Sequence, residues 1–466
     1  TDEKTKNGKT TTKGGQTVVK NFTNNGTIES KDQNAAVRLQ GAKIETFKNE
    51  KLISATGNAV AIKIERNGQN NPNGYDGSIE TFINEGTIKA NGQGIGLTNA
   101  TITNFTNSGT ISAAGQGAVS LAHATITSFE NKGLIENTSN NGNLNNGTVH
   151  GAIYLHEHGH TTIKSFDNQG TIKGKRAGIV IIGSKNTTIT HLKNSGTIEI
   201  TNGNGNVNST NVSAGILIGQ LNMQQQSESK PIYDTIENTG TIKGGNYGIF
   251  IEGGSIKNLK NSGTIEGKKD GIAFFNAGGP LKTTITNLEI EQGIVKGGEN
   301  GINLSRIEFD RRNNNEKNER IVENLIIKEG AIVEGGSGSG LVLGNVEDKR
   351  KNGQAQQSNN TDTYQLTGTI QVNGTLKGTK AGITNYKDMG TEGKEVIVIG
   401  EQGKIEGVVK NESGGTLKGN ITNKGTGTLE IDNKGTVGNN TVIKNENSSG
   451  SIKILDWKLE NQDNGN

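Results

Sequence analysis

A short unit recurs through most of this chain, and the stretch from Ile102 to Leu121, ITNFTNSGTISAAGQGAVSL, is a complete copy of it. The unit has three apolar segments: one around Phe105 that ends in Asn107, a Thr-Ile pair after a tight Ser-Gly, and Val119-x-Leu121 after a small residue. Its closest copies are 23 or 24 residues apart, namely Val37 to Val60, Ile95 to Val119 and Ile249 to Ile272. A period of this length is too short for a pair of helices and suits about three short strands with turns between them.

One such unit cannot bury its apolar side chains alone, so neighbouring units must stack and cover one another. Stacked strands lie about 4.8 Å apart, and connections between parallel strands are overwhelmingly right-handed. We therefore predict an all-β fold, a right-handed, three-faced parallel β-helix of about 16 coils and roughly 75 Å in length.

Composition agrees with this prediction and excludes several functions. The 70 Gly, 3 Pro and 29% apolar residues describe many short strands joined by tight turns. The absence of cysteine excludes disulfides and thiol chemistry. A net charge of +3 over 466 residues, with one Trp, six Tyr and ten Phe, does not favour a nucleic-acid partner. Without a run of 18 apolar residues we expect no membrane insertion and no signal peptide, and no motif indicates a cofactor.

An Asn recurs at one position of nearly every unit before Gly263, and it predicts a ladder of side-chain amides that bond one coil to the next. The row comprises Asn24, Asn49, Asn84, Asn107, Asn131, Asn168, Asn194, Asn238 and Asn261. Beyond Gly263 the Asn is lost, which predicts altered turns near residues 290 and 327.

A second row alternates in charge directly after the Thr-Ile segment. It reads Glu136, Lys173, Glu199, Lys243, Glu266, Lys296, Glu334, Lys377, Glu406, Lys418 and Glu430. On stacked strands these residues would be opposed neighbours, where opposite charges are favourable by about 0.2–1 kcal/mol. We interpret the row as an architectural charge ladder on a solvated face.

The apolar repeat divides the chain into three regions: one before the repeat begins, one in which insertions interrupt it, and one in which the turns between segments become shorter. Residues 1–17 are a polar tail or cap, residues 18–393 a β-helix with insertions at its corners, and residues 394–466 a set of compact coils. Loops on a rigid scaffold commonly carry binding, so the corner insertions are the first candidates for a site.

Two insertions on successive coils contain a basic group: Arg311, Arg312, Lys349, Arg350 and Lys351. This group predicts a patch for a sulfated or sialylated glycan. The alternative is a pair of solvated loops, because acidic residues nearby neutralise much of the charge.

The segment His156-Glu-His158-Gly-His160 is the only cluster of His in the chain and is a candidate metal site. On a strand the three imidazoles would share one face, but nothing in the sequence supplies the closed surroundings that a zinc site needs.

An enzyme is not expected. Parallel β-helices include polysaccharide lyases and hydrolases, which need clustered carboxylates, and neither DxD nor DxxD occurs here.

The sequence resembles the passenger domains of Gram-negative autotransporters, most closely the Campylobacter-like, Cap-type adhesins. The resemblance rests on the FxNxGTIxG and GIxL motifs of the coils, the Gly, Asn and Thr bias and the lack of Cys. The resemblance covers about residues 18 to 460. It implies a stalk on the surface of a Gram-negative cell, attached through a C-terminal outer-membrane barrel, or a fragment released extracellularly. This chain departs from the full family pattern because it contains no such barrel, and we interpret it as an excised passenger.

The resulting expectation is a surface adhesin that binds host glycans or extracellular-matrix proteins through loops on a β-helix stalk. The alternative is a passenger that associates with copies of itself on neighbouring cells and so causes aggregation or biofilm growth. A surface polysaccharide-degrading enzyme is the reading least supported by the residues.

Overall fold

The Thr-Ile segments of successive repeats pair in parallel and build one 13-stranded sheet in the computed structural model, here called the T sheet. Their Ile side chains align from coil to coil and point inward, as in the register Ile88 to Ile111 to Ile135. The strands are Thr27–Ser30, Leu52–Ala55, Thr87–Ala90, Thr110–Ala113, Leu134–Asn137, Thr171–Gly174, Thr197–Ile200, Thr241–Lys243, Thr264–Gly267, Ile294–Gly297, Ile332–Gly335, Thr375–Gly378 and Lys404–Glu406.

The Ile-x-Leu segments form a second parallel sheet, the L sheet, in which the two apolar residues point inward and the residue between them points outward. Its separate strands are Val37–Gln40, Ile62–Glu65, Gly151–Leu155, Ala177–Ile182, Ala214–Gly219, Tyr247–Ile251, Asp270–Asn276, Asn300–Glu308, Ser339–Leu343, Ala381–Asn385, Val409–Asn411, Thr428–Asn433 and Ser451–Trp457.

The Phe-containing segments form the third face, the F sheet. Its strands are Val18–Asn24, Lys43–Asn49, Gly77–Asn84, Thr162–Asn168, Thr188–Asn194, Ile232–Asn238, Gly254–Asn261, Lys282–Ile290 and Glu319–Ile327. Two long strands, Ile95–Asn107 and Gly117–Asn131, run through the corner and belong to both the L and F sheets. In the last coils each F strand divides in two: Thr363–Leu366 with Ile370–Val372, Asp388–Met389 with Glu395–Ile399, Thr416–Leu417 with Asn420–Asn423, and Thr436–Val437 with Ile443–Asn445.

Among the described residues, three antiparallel hairpins lie outside these sheets: Asp2–Lys6 with Lys9–Lys13, Gly142–Asn143 with Thr148–Val149, and Arg350–Lys351 with Gln354–Ala355. The structure describes residues 2–6, 9–13, 16–68, 74–139, 142–143, 148–156, 160–182, 187–201, 212–219, 232–276, 282–308, 319–344, 350–351, 354–355 and 363–457. Within these ranges no helix is long and apolar enough to cross a membrane.

Three parallel faces stacked coil upon coil confirm the predicted all-β parallel β-helix. Its hand and the number of about 16 coils stay predictions.

The interior is filled by rows of side chains that repeat at the coil spacing. Six Phe rings on the F sheet stack with centroids 4.4–5.0 Å apart: Phe22, Phe47, Phe82, Phe105, Phe129 and Phe166. Leu192, Ile236 and Leu259 continue the row in register. Such rows bury apolar surface that an isolated coil would leave in water.

The predicted Asn ladder is confirmed. From Asn24 to Asn238 each side-chain Nδ2 donates to Oδ1 of the Asn on the next coil, at 2.7–2.8 Å. The same Nδ2 commonly donates also to the carbonyl two residues ahead, as Asn107 does to Gly109. The ladder therefore satisfies buried amides that would otherwise cost about 1–3 kcal/mol each.

Beyond Asn261 the same row becomes apolar and then polar again. Ile290, opposite Asn261, is followed in register by Ile327, Val372 and Ile399. The row returns to amides at Asn423 and Asn445, which are joined at 2.9 Å. The predicted change of turn is visible after Ile327, where Gly330 takes a positive φ of 79°.

The charge ladder is confirmed from Glu136 to Glu406, where each residue lies opposite its successor on the T sheet. Among the ion pairs that form are Lys173 with Glu199 at 3.2 Å and Lys377 with Glu334 at 3.3 Å.

The prediction is wrong for its last two members. The final T strand is Lys404–Glu406, after which Gly407, at φ 100°, turns the chain directly into the L strand Val409–Asn411. Lys418 therefore follows an F strand, and Glu430 lies on an L strand opposite Lys453. The Gly-Thr-Leu sequence of these segments matches that of a T strand, but the shortened coils place the segments on the F and L sheets.

Reversing one charge tests the ladder. Lys243→Glu would place three acidic residues in a row with Glu199 and Glu266, so we expect a lower melting temperature at low salt. High salt should shrink the loss, because exposed charges are screened within about 8–10 Å. Lys243→Gln removes the attraction without adding repulsion, so its melting temperature at low salt should lie between those of the wild type and Lys243→Glu. Equal melting of all three proteins at low salt would contradict the role of the ladder.

Tyr233 occupies a core position between Ile189 and Ile256, and its buried hydroxyl has no hydrogen-bond partner in the described part of the chain. Tyr233→Phe removes the orphan hydroxyl and should raise the free energy of unfolding by about 1–3 kcal/mol. Thermal melting would measure the gain, with Tyr75→Phe at an exposed position as the control. A destabilised Tyr233→Phe would mean that the hydroxyl has a partner in solution.

Candidate binding groove

The outward row of the L sheet changes character along the solenoid. It runs in register through Lys63, Gly96, Ser120, Tyr154 and Val180. The row thus passes from a long cation to a residue with no side chain, a small hydroxyl and then a large ring. The missing and small side chains at Gly96 and Ser120 leave a depression on this face.

That depression is a groove of about 600 Å³. Its floor is the L sheet, and one wall is the corner where each T strand turns into the next L strand. The lining residues are Asn58, Val60, Lys63, Asn91, Gly92, Gln93, Leu97, Thr98, Ala114, Gly115, Gln116, Ser120, Ala122, His150 and His156.

The groove contains amides that the scaffold does not use. Within the described part of the chain the side chains of Asn58, Gln93, Thr98 and Gln116 make no hydrogen bond, in contrast to the ladder Asn residues. Gln93 extends over the floor, because a Cβ placed on Gly96 would come within 2.7 Å of its Oε1. The amides of Asn58, Gln93 and Gln116 each offer two donor hydrogens and an acceptor oxygen to a ligand, and the Thr98 hydroxyl offers one donor and an acceptor.

The groove has two different ends. At one end Lys63 Nζ pairs with Glu65 at 2.7 Å, and Arg38 contacts the same carboxylate. Burial raises the pKa of Glu65, but its hydrogen bonds and charge contacts with Lys63 and Arg38 outweigh burial and hold that pKa below its usual value. At the other end Tyr154 is 1% exposed and its ring meets the His156 ring edge-on at 4.7 Å.

Hydrogen bonds to hydroxyls fix the two imidazoles at this closed end. Ser120 Oγ lies 2.8 Å from His156 Nε2, and Ser139 Oγ lies 2.8 Å from His150 Nδ1. Burial lowers the pKa of His150, which is therefore neutral at neutral pH. A Ser–His contact of this length also occurs between nucleophile and base in hydrolases. Ser120 is only 1% exposed, and its hydroxyl holds the ring of His156 in place.

The described residues that line the groove include no Asp and no Glu. Glycoside hydrolysis commonly requires two carboxyl groups on either side of the scissile bond. The lining instead offers amides, hydroxyls and imidazoles, which suit an uncharged ligand rich in hydroxyl groups.

Beyond Tyr154 the same outward row is covered. Val180, Leu217, Phe250 and Ala273 follow in register, and all are buried in a second apolar cluster outside the main core. The groove therefore ends where this outer cluster begins.

A second polar site lies further along the L sheet, around Asp270, which is fully buried. Its Oδ1 accepts a hydrogen bond from Asn300 Nδ2 at 2.8 Å, and its Oδ2 accepts one from Asn303 Nδ2 at 3.1 Å. Burial raises the pKa of Asp270 to about 6, an effect that the hydrogen bonds of the two Asn residues oppose and the charge of Glu299 reinforces. The cluster is closed to solvent, so we assign it a structural role.

Four of the residues predicted from sequence lie outside the described residues: Arg311, Arg312, Lys349 and His158. For Arg350 and Lys351 only the hairpin backbone is described. The glycan patch proposed for the five basic residues thus stays a prediction.

His156 and His160 make different contacts. The His156 ring is hydrogen-bonded to Ser120, whereas the backbone N–H of His160 donates to His123 Nδ1 at 3.3 Å and the rings of His123 and His160 meet edge-on at 5.5 Å. Among the residues described here, no three His, Cys, Asp or Glu side chains come within reach of one metal ion.

Sequence reasoning missed the groove. Its signal was Gly96, the smallest residue at the outward position between two inward apolar residues, next to the small Ser120 one coil away. Gln93 and Gln116 precede these strands at the same corner. Side chains at a corner carry no periodic signal, so only the stacked coils show that they converge.

The fold and the groove together define a parallel β-helix protein with a polar groove on one face. No protein-family model, no curated protein and no solved structure matches the chain.

The raised pKa of Asp270 predicts a pH dependence. A carboxyl group whose folded pKa, about 6, exceeds its unfolded value of 3.8 stabilises the fold most at low pH. That contribution is lost as pH rises from about 4 to about 6. Asp270→Asn keeps the shape without the titration, so the difference in melting temperature between wild type and variant should change across this window. A constant difference from pH 4 to 7 would contradict it.

Proposed function

We propose that this protein is a cell-surface adhesin of a Gram-negative bacterium and that it binds glycans through the groove on the L sheet. The observation that carries the proposal is the convergence on one open surface of Asn58, Gln93, Thr98 and Gln116, whose side chains have no hydrogen-bond partner among the described residues. The surface location rests on the sequence resemblance to autotransporter passengers. The protein binds its ligand without transforming it, in keeping with a lining built from amides and hydroxyls.

Amides suit sugar recognition because a sugar hydroxyl both donates and accepts a hydrogen bond. The groove is shallow and solvated, so a single site should bind weakly, since each hydrogen bond contributes only about 0.5–1.5 kcal/mol net. Many copies on one cell would bind together with far greater avidity. Weak single sites on a rigid stalk are therefore compatible with adhesion.

Self-association is a second candidate, supported by the T sheet. Its outward charge row alternates in sign at the coil spacing, so a second copy displaced by one coil would place each Glu opposite a Lys. Exposed pairs of this kind are individually weak and salt-sensitive.

A glycan array probed with purified protein tests the principal proposal. We expect Gln93→Ala with Gln116→Ala to reduce binding roughly tenfold or more, because two hydrogen bonds are lost. The control Thr110→Val, at a half-buried T-sheet position that does not line the groove, should bind as wild type does. Replacing Arg311, Arg312, Lys349, Arg350 and Lys351 with Ser should leave binding intact.

The opposite result, loss of binding only in the fivefold Ser variant, would assign recognition to the charged insertions. Clumping of cells that display the protein, abolished by salt and unaffected by the Gln substitutions, would favour self-association instead.

A further inference from the structure

The groove is aligned with the axis of the solenoid, because its floor is one outward row of successive coils. From Lys63 through Gly96 and Ser120 to Tyr154 there are three steps from coil to coil. At a strand spacing of about 4.8 Å this is roughly 14 Å. A ligand that fills the groove must therefore be elongated and lie parallel to the axis.

One wall offers a polar side chain once per coil. Gln93 follows Gly92, Gln116 follows Gly115, and the Gly115 N–H donates to the Gly92 carbonyl at 2.8 Å. His150 takes the corresponding place one coil further, since the Gly151 N–H donates to the Gln116 carbonyl. The donors and acceptors of this wall thus repeat at the strand spacing.

The two ends of the groove differ in whether a ligand can pass. Lys63 is a flexible side chain at a solvated end, 35% exposed. At the other end Tyr154 and the Ser120–His156 pair are held by packing and a hydrogen bond. A chain can leave over Lys63 but cannot continue past Tyr154.

We propose that the groove binds the terminal segment of an extended, uncharged polysaccharide with equatorial 1,4 linkages, parallel to the solenoid axis and with one sugar per coil. In such a chain each sugar advances by nearly the spacing of the strands and is turned by about half a turn relative to the sugar before it. Gln93, Gln116 and His150 therefore meet the hydroxyls of alternating edges of successive sugars, and the two amides can bind either edge because each both donates and accepts hydrogen bonds. This inference rests on the proposed function and adds the class, direction and length of the ligand.

Calorimetric titration with soluble β-1,4-linked oligomers of glucose and of N-acetylglucosamine, from one unit to six, tests the proposal. Affinity should rise with each unit to about three units, the number of coil steps in the floor, and then level off. A bulky group attached to one end of the trimer should abolish binding, whereas the same group on the other end should be tolerated.

Gly96→Val provides a variant that blocks the middle of the floor and should retain the fold. Gly96 has no positive φ, and the nearest atom to an added Cβ is the flexible tip of Gln93, so a β-branched residue fits the strand. We expect trimer affinity to fall at least tenfold, to that of a single sugar, while Thr110→Val is unaffected. The melting temperature of both variants checks that folding is intact.

The possible negative results distinguish failure of this inference from failure of the proposed function. Wild-type binding that does not depend on oligomer length, or that tolerates the bulky group at both ends, overturns this inference and leaves the groove a glycan site. Full trimer binding by Gly96→Val overturns the groove as the site. Failure of the wild type to bind any glycan on the array overturns the proposed function itself.

Discussion

A single coil of this chain cannot bury its own apolar side chains, and the rest of the structure depends on that constraint. Coils must stack at the strand spacing, and stacking places like residues on like residues: Phe on Phe, Asn on Asn, Ile on Ile. Any residue type that recurs at one position of the coil must therefore pack favourably against the same residue type on the neighbouring coil. Phe rings can stack, and Asn can donate and accept in one row, whereas charges must alternate in sign to be tolerated.

This constraint explains how much could be predicted from sequence. The Phe, Asn and charge rows each carry a period, so fold class, faces and register followed from Phe105, Asn107 and Glu136 with their equivalents. The charge prediction was wrong at Lys418 and Glu430 because the final coils shorten and shift the same wording to other faces. Because the turn after Glu406 changes, the Gly-Thr-Leu motif alone no longer identifies the sheet on which it lies.

The candidate site was not predictable in the same way. It depends on an interruption of a pattern, the loss of a side chain at Gly96, and on corner residues such as Gln93 that are brought together only by stacking. The chain also uses one side-chain chemistry for two purposes. The amide of Asn107 is buried and bonded to its neighbours in the ladder, whereas the amide of Gln116 lines the groove with no partner among the residues that the structure describes. The amino-acid composition alone does not distinguish an amide that bonds within the scaffold from an amide that lines the groove.

The Asn ladder also bears on how such a surface can diversify. Consecutive ladder residues are separated by as few as 23 and as many as 44 positions along the chain, yet every pair from Asn24 to Asn261 closes onto the same short hydrogen bond. The amide thus marks the point at which the chain must re-enter the stack, whatever length of loop has left it. Because closing a longer loop costs only slowly increasing entropy, insertions and deletions at the corners are nearly independent of the scaffold. The corner insertions can therefore change in length while each coil keeps its register.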